Sequence, residues 1–190
     1  MKPSPQTVLL CVIGIALAGV VMFAGAILPF MKSASFIDAE RNVSNVHTVQ
    51  DFEQNFNNAF DFPSPVGDEE LTKFLAGNIL NIVQGGQSEA AARELVAYIE
   101  PHLYKDEVRH LLLDGQLHQS LWQLYHSEDD YQAAVKAYAA AHEIGPDLPP
   151  PLYSLLSLYT AHLDLVNGKR IAGEILARWP DDAKVNALFK

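Results

Sequence analysis

An uncharged run of 23 residues near the N-terminus, from Val8 to Phe30, constrains this chain more than any other feature. About 20 consecutive apolar residues are enough for a helix to cross the hydrocarbon of a bilayer. We therefore predict a short tail over residues 1–7 and a transmembrane anchor over residues 8–31. The expected protein is a single-pass membrane protein.

A cleaved signal peptide is the alternative interpretation of the same run. Ala24-Gly25-Ala26 has the spacing of small residues that a signal peptidase accepts. The apolar stretch is long for a signal peptide and continues beyond this position. The sequence favours the uncleaved anchor and leaves cleavage open.

The charges that flank the run bear on its orientation. Lys2 precedes it, whereas Lys32 and Arg41 after it are offset by Asp38 and Glu40. Positive charge near a membrane helix favours the cytoplasmic side. This bias predicts a short cytoplasmic tail and a soluble domain outside the cytoplasm.

Small residues share one side of the predicted anchor. At 100° per residue, four of them fall within about 60° of one another: Cys11, Gly14, Ala18 and Gly25. Such a face lets another membrane helix approach closely. The alternative is that these residues have no packing partner, since glycine and alanine are frequent in membrane helices in general.

Charge and cysteine content exclude several functions for the remaining chain. Only two of the 13 basic residues, Lys2 and Lys32, lie in the first 32 positions. The rest of the chain therefore contains 11 basic and 23 acidic side chains. An acidic surface repels nucleic acid and anionic lipid. Cys11 is the only cysteine, which excludes a disulfide, a thiolate zinc cluster and a cysteine nucleophile from the soluble domain.

Residues 32–67 are predicted to connect the anchor to the domain. A short amphipathic helix is indicated by apolar residues at i, i+3, i+7 and i+11, namely Val49, Phe52, Phe56 and Phe60. Thr48 is its predicted N-cap and Pro63 its stop. We expect the phenylalanines to dock on the chain's own domain; contact with the membrane or with a partner is the alternative.

Residues 68–190 are predicted to form an all-α domain, since no segment alternates as a strand does. Asp68 is expected to cap a first helix that Gly85-Gly86 stops, and Ser88 to open a second that ends near Pro101. A third helix is expected from about His102 to Asp114, with Gly115 ending it.

An internal match relates two segments of this domain. Residues 120–125 (SLWQLY) align with residues 154–159 (SLLSLY), and Pro146-Asp147 aligns with Pro180-Asp181. Both alignments have the same offset, which equals the tetratricopeptide period of about 34 residues. The matching positions predict repeats over residues 115–148 and 149–182.

The first copy resembles a tetratricopeptide (TPR-like) repeat. The positions that fall in the family's pattern are Leu121, Tyr125, Tyr131, Ala134, Tyr138, Ala141 and Pro146. Two departures are His118, where the family usually has tryptophan, and Trp122, where it has a small residue. The resemblance covers about residues 115–190 and implies stacked pairs of antiparallel helices.

The second copy is degenerate, with Gly168 and Ala172 in place of the small and aromatic pair. Residues 181–190, with Val185, Leu188 and Phe189, resemble the opening helix of a third copy that caps the stack. Because single repeats cannot bury their faces, helices over residues 68–114 are expected to complete the core.

In this family a groove lined by the first helix of each repeat binds partners. Here the resemblance places Gln116, Gln119, Gln123 and His126 in that groove. These polar, uncharged side chains suit a peptide held by hydrogen bonds. Ordinary solvated glutamines on a helix face are the alternative.

We predict no metal site, no cofactor and no catalytic residue, and hence no enzyme. His102, Asp106 and His110 could meet on one helical face, but they lack a third histidine. The sequence contains no phosphate-binding loop, dinucleotide motif or nucleophile elbow.

Two functions fit these predictions. The first is a membrane-anchored helical-repeat scaffold that mediates protein–protein interaction or complex assembly outside the cytoplasm, without nucleic acid. The alternative is an accessory structural subunit of a larger integral membrane complex, held by the small-residue face and the phenylalanine helix. In either case the expected partners are proteins, and integral membrane proteins are one candidate class.

Overall fold

A computed structural model describes residues 4–188 of this chain as helices joined by turns, with no strand in that range. The chain divides into two compact units, which meet in sequence at Leu71 and Thr72. Met1–Pro3 of the predicted tail, and Phe189 of the predicted capping helix, lie outside the described residues.

The first unit begins with one long helical segment that extends from Pro5 to Asn45. It comprises α1 (Pro5–Met22), a π-helical turn (Phe23–Ile27), α2 (Leu28–Asn42) and a 3-10 turn (Val43–Asn45). The segment is long and apolar enough to span a membrane, and none of α1 is buried. Helix thus continues beyond residue 31, where the connector was expected to begin, because no proline or glycine interrupts residues 32–42.

The π-helical turn changes the geometry of the predicted small-residue face. Pro29 has no N–H to donate to the carbonyl of Gly25 four residues earlier, and its ring crowds that carbonyl. The N–H of Leu28 instead reaches back five residues to the carbonyl of Phe23. Gly25 lies inside this widened turn, so a rotation of 100° per residue does not give its position relative to Cys11, Gly14 and Ala18.

The predicted amphipathic helix is α3 (Val49–Phe60), which begins after Thr48 as the capping pattern indicated. Thr48 Oγ1 accepts from the N–H of Asp51, whose side chain accepts from the N–H of Thr48. Phe52 and Phe56 are buried. The ring of Phe56 lies 5.8 Å from that of Phe36, so α3 packs on α2.

Lys32 joins α2 to the last residue of α3 and to the residues that follow it. Its side chain is buried, and its Nζ donates to the carbonyls of Phe60, at 3.2 Å, and Phe62, at 3.1 Å. The same ammonium forms an ion pair with Asp68. Lys32, the first basic residue after the apolar run, therefore stabilises the packing within this unit.

The second unit contains most of α4 (Asp68–Gln84) and the helices α5 (Glu89–Ile99), α6 (Val108–Tyr125), α7 (Glu128–Ile144), α8 (Pro149–Ala161), α9 (Leu165–Arg178) and α10 (Ala183–Leu188). As predicted, Gly85-Gly86 follows the end of α4 and Ser88 caps α5. Helices α6 and α7 pack along each other, as do α7 and α8, and α8 and α9. A hydrophobic core forms between them, which includes Tyr138, Leu152, Leu158 and Ile171.

The predicted third helix is present as α6, but its predicted bounds, residues 102–114, were wrong at both ends. Glu100–His102 forms a 3-10 turn, and α6 starts only at Val108, where the Glu107 side chain accepts from the N–H of His110. The helix then continues through Gly115 to Tyr125. Gly115 therefore lies within α6 and does not end it. Its lack of a side chain makes room for Tyr138 of α7.

Candidate functional site

The four predicted groove residues all lie on α6 or at its end, but they are not equally accessible. Gln116, Gln123 and His126 are exposed, whereas Gln119 is half-buried. The Oε1 atom of Gln119 accepts a hydrogen bond from the Tyr138 hydroxyl at 2.7 Å. Burial raises the pKa of Tyr138, which stays a neutral donor. Gln119 is therefore engaged within the fold, and the accessible amides are those of Gln116 and Gln123.

His126 occupies the position that ends α6. Its φ is +59°, in the left-handed region, and its N–H donates to the carbonyl of Trp122 at 2.8 Å. A non-glycine residue in this conformation is uncommon, although histidine tolerates it better than most. The backbone conformation of His126 thus ends α6 at this end of the predicted groove.

The predicted packing face of the anchor is open in this chain. Cys11, Gly14 and Ala18 are exposed on α1. A methyl group built on Gly14 or Gly25 would meet no described atom of the surrounding structure within 4 Å. The face of Cys11, Gly14 and Ala18 therefore has room for a second helix, whereas Gly25 lies within the π-helical turn.

The histidine and aspartate residues that we considered for metal binding are not on one helix. His102 ends the 3-10 turn, Asp106 lies in a loop, and only His110 is in α6. The Nδ1 atom of His110 accepts from the backbone N–H of Tyr104 at 3.0 Å, so this buried ring holds the loop in place. The spacing of i, i+4 and i+8 does not apply to these three residues.

A different cluster of charged side chains surrounds His118. The Nε2 atom lies 2.8 Å from Glu100 Oε1 and 3.9 Å from Asp114 Oδ1. The Nδ1 atom on the other side of the ring lies 3.5 Å from Asp130 Oδ1. Three carboxylates from three elements thus converge on one imidazole, which is only 15% exposed.

Two basic side chains compensate part of this negative charge. Arg93 donates to both oxygens of Asp130, at 2.8 and 3.3 Å, in a bidentate pair that raises the pKa of Arg93. Lys105 donates to Asp114 Oδ2 at 2.8 Å. Asp114 and Asp130 are both buried, so these pairs offset part of the cost of burying their charge.

The cluster borders a cleft of about 440 Å³ between α6 and α7. Glu100, Asp114 and His118 form one side, and Ala133, Ala137 and Ala140 of α7 form part of the other. Lys105 and Lys136 also line it. The small alanines leave space beside the charged groups, where a small ligand could reach them.

Sequence reasoning missed this cluster because its members come from different elements. Asp114 and His118 are four residues apart on α6, a spacing that puts both on one face and could have been noticed. Glu100 is brought there by the 3-10 turn after α5, and Asp130 by the start of α7. No local pattern indicates either approach.

Comparison with known proteins gives no assignment: no family model, no curated protein and no solved structure matches this chain.

Proposed function

We propose that this chain is a membrane-anchored helical-repeat protein of the TPR-like kind, which mediates protein–protein interaction or complex assembly. One observation carries the proposal. Buried positions of the α6–α7 pair recur in the α8–α9 pair at the offset of the internal sequence match. The buried pairs are Leu121 and Leu155, Ala134 and Gly168, Ala137 and Ile171, and Ala141 and Ile175.

The ends of the helices support the same period. Helices α7 and α9 end at Ile144 and Arg178, and α8 and α10 begin at Pro149 and Ala183; both pairs are separated by that same offset. A repeat whose buried positions and boundaries share one period packs on the next copy in the same way each time. Such stacks present a continuous face of first helices, which is where members of this class bind partners.

The proposed partner surface is the exposed part of α6. It presents amide and imidazole groups to solvent, from Gln116, Gln123 and His126. None of these three residues is a lysine or an arginine. Amides donate and accept hydrogen bonds, as an extended peptide backbone requires. A partner segment bound through its main chain fits this surface better than one bound through a terminal carboxylate, which needs basic residues.

The anchor would hold this surface at the membrane. The helical segment over residues 5–45 is long enough to span a bilayer. We place the acidic domain outside the cytoplasm, since the flanking charges favour a short cytoplasmic tail. Tethering raises the local concentration of the domain for partners that are themselves membrane-bound.

A second candidate is a permanent subunit of an integral membrane complex. It is favoured by the open face of Cys11, Gly14 and Ala18, because small residues let helix backbones approach closely. In that case the anchor, and not α6, would make the principal contact.

Site-specific photo-crosslinking in intact cells tests the proposed surface. A photoreactive residue replaces Gln116 or Gln123, and the matched control replaces Gln132, an exposed glutamine on α7. We expect protein adducts of defined mass from the two α6 positions and none from the control. Equal labelling at all three positions, or no adduct from either α6 position, would reject α6 as the binding surface.

A further inference from the structure

Asp114 carries a buried carboxylate oxygen that the fold leaves unsatisfied. Among the described residues 4–188, no donor lies within hydrogen-bonding distance of Asp114 Oδ1, although the other oxygen is paired with Lys105. A buried anionic oxygen without a donor is costly, and such an atom commonly marks a bound water or ion.

The neighbours of this oxygen are the ligand types that a divalent cation requires. One ligand atom each from Glu100, Asp114 and His118 lies within 4.8 Å of the other two, so one ion can contact all three. Zinc binds carboxylate oxygens at about 2.0–2.2 Å and imidazole nitrogens at about 2.0–2.1 Å. The movements needed to close on an ion are small, since Glu100 lies on a turn and its side chain is 39% exposed.

The second ring nitrogen of His118 lies next to a carboxylate, as is usual for a histidine that binds metal. Asp130 Oδ1 faces His118 Nδ1, and Arg93 fixes both oxygens of that carboxylate. A carboxylate at one ring nitrogen holds the proton there and leaves the other nitrogen free to bind metal. Asp130 would thus orient His118 without touching the ion.

We propose that Glu100, Asp114 and His118 form a binding site for a zinc ion, with Asp130 as the residue that positions His118. Three protein ligands leave a fourth position, which faces the cleft beside α7 and can hold water or a partner's side chain. Because Lys105 engages Oδ2 and is itself 58% exposed, it leaves Oδ1 available. The bound ion would link the turn after α5 to α6 and stabilise this unit.

This inference does not depend on the proposed function, since it concerns the interior of the second unit and not the exposed groove. Hydrogen bonds from His118 to Glu100 and Asp130, with no metal, explain the contacts of 2.8 and 3.5 Å but leave Asp114 Oδ1 without a hydrogen-bond donor. The two accounts therefore differ in whether zinc binds.

Zinc titration of the full-length protein in mild detergent, after removal of metal by a chelator, tests the site. We expect one zinc ion per chain by calorimetry and a rise of the thermal unfolding temperature with zinc concentration, since the folded state alone holds the ligands together. Cobalt as a probe should give visible absorption bands of a low-coordinate site. Absence of stoichiometric zinc binding to the wild type overturns the proposal.

Variants assign the ligands. H118Q, D114N and E100Q should each abolish or strongly weaken zinc binding, and D130N should weaken it about 10- to 100-fold. The matched control is H142Q: His142 Nε2 lies 2.8 Å from Glu174 Oε1, but no second carboxylate completes a metal-binding group there among the described residues. Unchanged binding in H118Q and E100Q, or equal loss in H142Q, contradicts the assignment. E100Q changes a partly exposed turn residue, so it remains informative if a buried variant fails to fold.

Discussion

The ring of Tyr138 in α7 fills the space that a side chain on Gly115 of α6 would occupy. A methyl group on Gly115 would lie 2.3 Å from Tyr138 Cε1, far inside van der Waals contact. Because Tyr138 is fully buried and bonded to Gln119, its ring has little room to move.

The Gly115–Tyr138 contact predicts a destabilising G115A substitution. We expect a loss of about 1–3 kcal/mol, since overpacking outweighs the better helix propensity of alanine. G173A in α9 is the control, as no described atom lies within 4 Å of its added methyl group, and we expect a gain of about 0.5–1 kcal/mol there. Thermal unfolding followed by circular dichroism compares the two, and a G115A protein as stable as wild type would refute the close packing.

Replacement of Lys32 should loosen the first unit. K32M leaves the carbonyls of Phe60 and Phe62 without their charged donor, which we expect to cost about 1–3 kcal/mol. Hydrogen exchange in detergent should then show faster exchange across α3.

The control for K32M is R41A, because Arg41 and its partner Asp38 are both largely exposed. An exposed pair of this kind contributes little, so exchange across α3 should not change. Equal acceleration in both variants would mean that general loss of charge, and not the buried contact, protects α3.

Stability should fall in alkaline solution through Tyr131. Burial raises the pKa of Tyr131 to about 12, above its ordinary value near 10. The folded state favours the neutral phenol, so this contribution is complete below pH 10 and is lost as pH rises from 10 to 12.

The variant Y131F has no phenol to ionise, and its unfolding temperature should decline less over this range. The absorbance of phenolate should also show that Y131F has one fewer tyrosine with a raised pKa than the wild type. The same decline in Y131F as in wild type would show that other groups set the alkaline limit.

The anchor face gives a prediction that distinguishes the two proposed functions. A18L places a bulky side chain on the small-residue face, whereas V12L adds one methylene at an exposed position of α1. If the chain is a permanent subunit, A18L should release it from its complex during purification and V12L should not. A tethered receptor should retain its partner in both variants.

Sequence reasoning was most successful where the signal is local. The uncharged run predicted the long apolar helix, and Thr48, Ser88 and Gly85-Gly86 predicted helix boundaries, because each acts through backbone groups within one turn. It failed at Gly115, since whether a glycine ends a helix or admits a neighbour depends here on Tyr138, which lies on the next helix. The carboxylates around His118 were missed for the same reason, as Glu100 and Asp130 reach it only through tertiary packing.

The most direct test of the central claim is quantitative mass spectrometry of the full-length protein purified from its own membranes in mild detergent. The wild type is compared with a Q116A and Q123A double variant and with Q132A. We predict specific protein partners with the wild type and Q132A, and a recovery about tenfold lower with the double variant, a loss of about 1.4 kcal/mol. Recovery of the wild-type chain alone, or of the same partners in equal amount from the double variant, would contradict a binding role for α6.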